Sequence, residues 1–260
     1  MDSLPSEIIN LIEQASRKIQ ASTFCIALTG AGISTDSGIP DFRSPGSGLW
    51  SQHSPFEVAS LSAFRYHPER FFSWVRPLIQ LVSEACPNPA HKALAALEKR
   101  GHIQSIVTQN IDVLHQRAGS EKVIEIHGTF QSLTCLGCYQ QFQAEPDLLK
   151  SFLEDQELPQ CPECGNLLKP DVILFEEQLP ADRWNQAKSL IKKSDLMLIL
   201  GSSLTVAPAC NLPFAALEEG ADLVIINKTP TPLDIYAQIS IQGDLATILP
   251  EIKKRVVSDV

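Results

Sequence analysis

The stretch FCIALTGAGISTDSGIPDFR, residues 24–43, decides the fold of this chain. Its first part, Phe24–Thr29, is apolar and strand-like, and it runs directly into Gly30-Ala31-Gly32. A strand that ends in Gly-x-Gly lets backbone N–H groups come close to a phosphate, because glycine has no side chain to hold the ligand away. The loop departs from the dinucleotide fingerprint G-x-G-x-x-G, since Thr35 stands at the third glycine position. Taken alone, it is equally compatible with a simple turn.

Strand and helix patterns alternate along most of the chain. The strand-like runs end at small or polar residues, which are Gly30-Ala31-Gly32, Gln109-Asn110-Ile111-Asp112, His127-Gly128, Gly201-Ser202-Ser203 and Asn227. This alternation predicts an α/β fold with a doubly wound parallel (Rossmann-like) sheet, whose ligands bind beyond the carboxyl ends of the strands. We therefore expect these five strand ends to form one binding site. No acidic residue ends the second strand as a ribose ligand, which disfavours an ordinary hydride-transfer dehydrogenase.

Three local patterns give expectations about individual elements. Pro77 is expected to break or kink the helical pattern of Pro55–Val82, because proline cannot donate a helical hydrogen bond. The apolar run Val172–Phe175 predicts a strand with which the α/β alternation resumes, and Ile235–Ile239 predicts a last β-like run.

Four of the seven cysteines form two CxxC pairs, Cys135 with Cys138 and Cys161 with Cys164. Each pair can place two thiolates on one metal ion, and the 22 residues between Cys138 and Cys161 match the spacing of zinc ribbons. Four thiolates leave no open position on the metal, so the predicted zinc is structural. Two redox-active CxxC pairs are the alternative.

Composition narrows the class of partner. The 260 residues are 44% hydrophobic and carry a net charge of −9, which disfavours direct binding to nucleic acid or to an anionic membrane surface. No apolar run approaches the ~18 residues of a membrane span, and the start MDSLPSEIIN lacks the basic region of a signal peptide. We expect a cytoplasmic monomer.

His127 is the candidate general base. It stands at the end of the strand-like run Val123–Ile126 and is followed by Gly128. Histidine titrates near neutral pH, with an ordinary pKa of about 6.5, and so suits proton transfer. A purely structural hydrogen-bonding role is the alternative. Asn110 and Asp112 can bind an amide or a ribose, although Asp112 can equally cap the following helix.

The end of the opening stretch, Asp41-Phe42-Arg43, brings an acid, an aromatic ring and a guanidinium together beside the glycine loop. Such a trio can anchor a phosphate and cover the face of a sugar. From the residue types alone, a surface salt bridge beside a core phenylalanine is at least as plausible.

Taken together and in order, these motifs resemble the sirtuin family of NAD-dependent protein deacylases. The resemblance is carried over about residues 5–250 by GAGISTDSGIPDFRS, TQNIDVLHQRAG, IHGTF, the two CxxC pairs, GSSLTVAP and VIINK. The chain is most similar to the compact single-domain bacterial and archaeal members. The resemblance implies NAD and one structural zinc as cofactors.

The implied architecture divides the chain into two parts. Residues 1–45, 85–129 and 170–260 are expected to form the Rossmann-like NAD-binding domain. Residues 46–84 form a helical module and residues 130–169 a zinc-binding module, and both are inserted into that domain and together make a small domain.

The resemblance also implies a role for each site residue. His127 is the base, Phe42 shields the reacting ribose, and Asp112 binds the nicotinamide carboxamide. The acyl-lysine peptide binds at Phe175-Glu176-Glu177 and at Val206. The implied cofactor-binding residues are Gly30, Ala31, Gly32, Thr35, Asp41, Phe42, Arg43, Gln109, Asn110, Ile111, Asp112, Gly201, Ser202, Ser203, Asn227, Lys228, Asp244 and Leu245.

The implied reaction is NAD-dependent protein-lysine deacetylation. The acyl oxygen of an acyl-lysine attacks the ribose C1′, nicotinamide leaves, and His127 takes a proton from the ribose hydroxyls. The acyl group ends on ADP-ribose as 2′-O-acetyl-ADP-ribose. Two other hypotheses stay open: ADP-ribosyl transfer to a protein side chain, and a catalytically silent NAD sensor or zinc-ribbon interaction module.

Two positions depart from the family pattern. The acyl-pocket helix reads RFFSWVR at Arg70–Arg76 and lacks the Tyr-x-x-Arg of desuccinylating sirtuins, so we expect neutral acyl groups to be preferred, acetyl first. In the peptide-binding segment, Glu176 stands where relatives usually have glycine. An extra acid there changes peptide affinity or favours cationic residues beside the acyl-lysine.

Overall fold

The structure is a computed structural model that describes residues 4–41, 46, 48–49 and 54–257. Within these residues the strands are β1 (Cys25–Thr29), β2 (Ser105–Thr108), β3 (Val123–Glu125), β4 (Gly128–Cys135), β5 (Gln141–Gln143), β6 (Leu168–Val172), β7 (Leu196–Leu200), β8 (Asp222–Asn227) and β9 (Ile239–Gln242). The α-helices are α1 (Ser6–Ala21), α2 (Pro55–Val58), α3 (Leu61–Tyr66), α4 (Pro68–Glu84), α5 (Pro89–Lys99), α6 (Leu114–Arg117), α7 (Pro146–Lys150), α8 (Ala181–Ile191), α9 (Leu212–Glu218) and α10 (Leu245–Val256). None of the described helices combines the length and the apolar character needed to cross a bilayer.

The main sheet is parallel and has the strand order β3-β2-β1-β7-β8-β9. Successive side chains of β1 point to opposite faces, and both faces are buried. Cys25 and Ala27 join the apolar core with α1, α5 and α10, whereas Ile26 and Leu28 join the core with α8 and α9. Burial on both faces explains why this strand is apolar from Cys25 to Leu28. The predicted doubly wound α/β fold is confirmed.

A second, smaller sheet is antiparallel, with the order β5-β4-β6. Its residues Leu133 and Leu168 form a small core with two of the paired cysteines. Beside it, α3 and α4 gather an aromatic cluster in which Phe64, Phe71 and Phe72 lie 5.0–5.5 Å apart, centroid to centroid. A zinc-type module and a helical module thus accompany the main sheet, as predicted, while the domain boundaries given above stay a prediction.

The break expected at Pro77 is not found in the structure, whereas the alternative of a kink stays a prediction. Pro77 lies inside α4, which continues to Glu84. The buried apolar face of α4, including Val75 and Val82, holds the helix against the core on both sides of the proline. The breaks lie earlier, around Ser60 and His67, where α2, α3 and α4 are separated.

The predicted strand Val172–Phe175 is also wrong, because Val172 ends β6 of the small sheet. Gly128, at a φ of +82°, allows β4 to pass so close to β6 that an added Cβ would lie 2.0 Å from the Asp171 carbonyl oxygen. This close antiparallel pairing takes β6 away from the main sheet. Phe175 instead forms an isolated parallel bridge with Ser60.

The β-like run expected at Ile235–Ile239 begins later in the structure. A short 3₁₀ turn covers Asp234–Tyr236, and Ile235 is 82% exposed. The Asp234 carboxylate accepts hydrogen bonds from the Thr231 N–H at 3.0 Å and the Thr231 hydroxyl at 2.6 Å. This local turn replaces sheet pairing, so β9 starts only at Ile239.

Strands β2 and β3 lie on one side of β1, and β7, β8 and β9 lie on the other, so the strand order reverses between β1 and β7. The loops that follow β1 and β7 are in contact at this point. The Gly32 N–H donates to the Gly201 carbonyl oxygen at 2.9 Å. A Cβ on Gly32 would lie 2.8 Å from the Gly201 Cα, and a Cβ on Gly201 would lie 2.5 Å from the Ile33 nitrogen. Gly201 also has a φ of +63°, which disfavours any side chain. Two glycines therefore set the crevice at the switch point of the sheet.

Replacing Gly201 with alanine should destabilise the protein more than the same change at Gly220. Both residues have positive φ, which costs about 1–2 kcal/mol for a residue with a side chain. A Cβ on Gly220 meets nothing within 4 Å, whereas one on Gly201 clashes with backbone and adds an overpacking cost of about 1–3 kcal/mol. Urea unfolding measures both variants. Equal losses for Gly201→Ala and Gly220→Ala would contradict the close approach.

Candidate active site

A cavity of about 850 Å³ opens at the carboxyl ends of β1, β2, β7 and β8. This volume is in the range of sites for cofactor-sized ligands. The predicted site residues that line it are Gly30, Ala31, Gly32, Thr35, Asp41, Gln109, Asn110, Ile111, His127, Phe175, Glu176, Glu177, Gly201, Ser202, Ser203, Val206, Asn227, Lys228 and Leu245. The strand ends singled out in the sequence therefore meet at one cavity. Their individual roles stay a prediction.

Two of the predicted cofactor-binding residues that the structure describes do not line the cavity. Asp112 is buried behind the cavity, and Asp244 lies beside it, 3.5 Å from the Lys228 ammonium. Phe42 and Arg43 lie outside the described residues.

The half-buried His127 presents a defined tautomer to the cavity. Its Nδ1 lies 3.0 Å from the backbone carbonyl oxygen of Gln109, at the end of β2. Because a carbonyl oxygen only accepts hydrogen bonds, Nδ1 carries the proton in this contact and donates it. In the neutral ring, Nε2 is then the nitrogen that can take a proton. The geometry suits a general base.

Asn110 and Asp112 are fixed by a buried hydrogen-bond network that begins in the glycine loop. The Ser34 hydroxyl donates to Asp112 at 2.6 Å, and the Leu114 N–H donates to the other carboxylate oxygen at 2.9 Å. The Asn110 amide donates to the Gly30 carbonyl oxygen and to the Ser34 hydroxyl, both at 3.2 Å. Burial raises the pKa of Asp112, and the bond from Ser34 opposes that shift. Asp112 thus binds the first N–H of α6 and also contacts the glycine loop.

Two buried histidines lie under this network and were not predicted as part of the site. The rings of His91 and His115 are 4.9 Å apart, and His115 Nε2 is 2.9 Å from the Thr29 hydroxyl. Burial lowers the pKa of His91 to about 4 and that of His115 well below its ordinary value. Both rings are therefore neutral at pH 7. The Nδ1 atom of each has no hydrogen-bond partner within the described part of the chain.

Ser34, His91 and His115 escaped prediction because their roles depend on contacts between distant parts of the sequence. One local signal exists: Asn88 opens α5 as its N-cap, and its side-chain amide donates to the Ile33 carbonyl oxygen at 2.7 Å. This bond fixes α5, and with it His91, against the glycine loop. An Asn-Pro start is a recognisable helix cap, but its long-range partner is not encoded in the spacing.

At the far end of the cavity, three charged side chains from three loops lie together. The Lys228 ammonium, after β8, is 3.5 Å from a carboxylate oxygen of Asp36 and 3.5 Å from one of Asp244. Burial, together with the neighbouring Asp244 carboxylate, raises the pKa of Asp36. Nearer the centre, the Gln109 amide donates to the Ser202 hydroxyl at 3.0 Å and so links the ends of β2 and β7.

The wall opposite the glycine loop is formed by Phe175-Glu176-Glu177, which we call the docking segment. The Phe175 N–H donates to the Ala59 carbonyl oxygen at 2.9 Å, and the Leu61 N–H donates to the Phe175 carbonyl oxygen at 3.0 Å. The segment is therefore attached by its backbone to the start of α3.

One part of the cavity is apolar. Helix α4 contributes Phe71, Trp74, Val75 and Leu78 to its lining. Arg76 lies on the same helix but points elsewhere, since its guanidinium donates to the Phe152 carbonyl oxygen at 2.9 Å and stacks 4.6 Å from the Phe152 ring centroid. No Lys or Arg lines the cavity near α4 within the described residues. This region suits an uncharged group.

The four paired cysteines converge as a metal site requires. Their Sγ atoms all lie within 4.8 Å of one another, with 3.4 Å between Cys135 and Cys164 and 3.7 Å between Cys138 and Cys161. Tetrahedral zinc with Zn–S bonds of about 2.3 Å places sulfur atoms about 3.8 Å apart. The cluster therefore fits one zinc ion, held at the end of β4 away from the cavity.

Comparison with known proteins gives one consistent result. Residues 30–208 match the Sir2 family. The NAD-dependent protein deacetylase of Oceanobacillus iheyensis is 44% identical over 86% of this chain and 91% of its own length. The NAD-dependent protein deacylase of Pyrococcus furiosus is 40% identical over 95% of this chain and 98% of its own length.

A solved structure shows the same similarity in three dimensions. A Sir2 variant bound to a deacetylated p53 peptide and 3′-O-acetyl-ADP-ribose superimposes with a TM-score of 0.85 at 39% identity. The superposition covers 94% of this chain and 96% of that one.

The buried histidines should make stability depend on pH. Below pH 6.5 the unfolded chain binds a proton on His91 that the folded protein, with a His91 pKa of about 4, does not bind. Unfolding is therefore favoured as pH falls from 6.5 towards 4, by roughly 2–3 kcal/mol from this residue. Urea unfolding at pH 7 and pH 4.5 should show a smaller loss for His91→Gln than for the wild type. The exposed His67→Gln serves as control, and an unchanged difference in His91→Gln would refute the assignment.

The purified protein should contain about one zinc per chain, measured by elemental analysis. Cys164→Ala should lose the metal and unfold at lower temperature, because the zinc ties the two CxxC turns together. Cys86→Ala, at an exposed cysteine outside the cluster, should retain both properties. A metal-free preparation with unchanged melting temperature would contradict a structural zinc.

Proposed function

The chain belongs to the Sir2 (sirtuin) family, and on that premise we propose that it is an NAD-dependent protein-lysine deacetylase. The acyl group of an acyl-lysine peptide is transferred to ADP-ribose, with release of nicotinamide and 2′-O-acetyl-ADP-ribose. One observation carries this function: a histidine with Nδ1 tied to a backbone carbonyl faces the same cavity as the glycine loop, so that Nε2 can accept a proton there.

The residues present fit NAD. Gly32 and Gly201 pack so closely that their added Cβ atoms would clash, which leaves backbone and not side chains facing the crevice at the switch point. When bound, NAD supplies the ribose carbon and the nicotinamide leaving group of the reaction. In the proposal, the glycine loop holds the pyrophosphate, and Ser202, Asn227 and Asp244 hold the adenosine half.

The remaining groups act on the reacting end. Asp112 holds the nicotinamide carboxamide, and Ser34 keeps that carboxylate oriented by its bond of 2.6 Å. Gln109 has two proposed tasks: its carbonyl oxygen sets the tautomer of His127, and its side chain, which donates to the Ser202 hydroxyl, would contact the nicotinamide ribose. His127 Nε2 accepts a proton from a ribose hydroxyl. The proposal also assigns Phe42 and Arg43 to NAD binding, although both lie outside the residues that the structure describes.

The substrate side of the proposal follows the cavity wall. An acyl-lysine peptide adds to the docking segment and to Val206 as a β-strand, a common mode of peptide recognition. The apolar lining from α4, with Arg76 turned towards Phe152, supports a neutral acyl group, acetyl first. The net charge of −9 disfavours nucleic acid and membranes as direct partners. We further propose that the protein acts as a monomer in the cytoplasm.

The test is an acetyl-lysine peptide incubated with NAD and scored by product mass. The wild type should release nicotinamide and O-acetyl-ADP-ribose in equal amounts. His127→Ala should lower the rate by about 10²–10⁴-fold, as expected for loss of a general base, whereas His102→Ala, outside the cavity lining, should not.

Other outcomes point to other functions. With adenine-labelled NAD, label that stays covalently on protein would favour ADP-ribosyl transfer. NAD binding without turnover of any acyl peptide would contradict the deacetylase proposal and favour the hypothesis of a catalytically silent NAD sensor.

A further inference from the structure

The docking segment is anchored from inside by its last residue. The Glu177 carboxylate accepts a hydrogen bond from the Leu174 N–H at 2.8 Å. The same oxygen lies 3.0 Å from the Lys169 ammonium, and both side chains are largely buried. This ion pair ties the segment to β6.

The preceding residue anchors the segment from outside. One carboxylate oxygen of Glu176 accepts hydrogen bonds from the Ser62 N–H at 2.9 Å and from the Ser62 hydroxyl at 2.6 Å. Ser62 belongs to the first turn of α3, so the bonds join the segment to the helical module. They also lower the pKa of Glu176, which keeps the carboxylate ionised at neutral pH. Two consecutive acids therefore hold the segment from opposite sides.

Glu176 has a backbone conformation that is unfavourable for a residue with a side chain. Its φ is +73°, in the left-handed region that favours glycine, and the sirtuin pattern has glycine at this position. A turn alone would be better served by glycine. The two bonds from Ser62 offset the unfavourable backbone and fix the direction of the side chain.

The anchor leaves one stretch of backbone available beside the cavity. The N–H of Phe175 donates to the Ala59 carbonyl oxygen, and its C=O accepts from the Leu61 N–H. The N–H and C=O of Glu176, which lines the cavity, have no hydrogen-bond partner among the described residues. Glu176 lies in a turn closed by the bond from the Glu177 N–H to the Leu174 carbonyl oxygen at 3.1 Å, so its own N–H and C=O remain available to a bound peptide.

We propose that Glu176 is a positioning residue for the peptide substrate, whose bonds to Ser62 hold the docking segment in the conformation that pairs with the peptide. The proposal rests on the deacetylase function and specifies how this chain achieves peptide affinity. An anchored segment does not have to be ordered when the peptide binds, and that saving appears as tighter binding. The bonds act on the peptide, and not on the NAD chemistry.

Steady-state kinetics with an acetyl-lysine peptide test the anchor. Glu176→Ala should raise the KM for peptide about three- to ten-fold, the scale of ordering a short segment, while kcat and the KM for NAD stay unchanged. Ser62→Ala removes the hydroxyl bond and leaves the N–H bond, so its effect should be smaller. Glu176→Gln should restore most of the affinity, because both bonds end on one oxygen, which the amide also provides.

The matched control is Glu57→Ala, which removes an exposed acid from α2 outside these bonds. An unchanged peptide KM in Glu176→Ala, with the wild type active, would overturn the anchor. Loss of affinity in Glu176→Gln equal to that in Glu176→Ala, and confined to peptides with basic flanks, would overturn it in favour of charge recognition.

Binding of a fluorescent acetyl-lysine peptide, measured by anisotropy without NAD, separates this proposal from the function it rests on. Weaker binding to Glu176→Ala than to Glu57→Ala supports the anchor even if no turnover is seen. Absence of turnover in the wild type counts against the deacetylase function alone.

Discussion

The contact between Gly32 and Gly201 is the constraint on which the rest of the site depends. Each residue occupies space that a Cβ on the other would invade, so the loops after β1 and β7 approach as closely as two backbones can. The main sheet reverses its strand order at this place, and a crevice at such a point exposes backbone donors to a ligand. The glycine loop then turns through Ser34, whose hydroxyl reaches Asp112. The close approach of the two loops and the position of the Asp112 carboxylate therefore depend on each other.

Behind the cavity, buried polar groups give this arrangement its rigidity. Ser34 contacts Asn110 and Asp112, and Asn88 fixes the backbone of the same loop to α5. Buried polar groups are costly unless they are paired, so a network of this kind favours a single conformation. The neutral pair of His91 and His115 extends it below the loop.

The sequence predicted the fold and the strand ends well, because both depend on local patterns. The strand-like runs Phe24–Thr29 and Val123–Ile126 correspond to β1 and β3, each within one residue of its expected bounds. Predictions of individual elements were wrong where contacts between distant residues override the local pattern. The predicted strand Val172–Phe175 is an example, because β6 pairs with β4 and ends at Val172. The same limit hid Ser34 and His91. Spacing cannot show which buried side chains meet across the fold.

The tautomer of His127 has a consequence for how the enzyme resets. The Gln109 carbonyl holds the Nδ1 proton and cannot take it away, since a peptide carbonyl is not protonated near neutral pH. A proton gained at Nε2 must therefore leave from Nε2 as well. Nε2 is thus the ring nitrogen that exchanges protons, and the ring lines the cavity. In the proposed reaction, His127 would therefore regain its starting charge only by losing this proton into the cavity in which the reaction takes place.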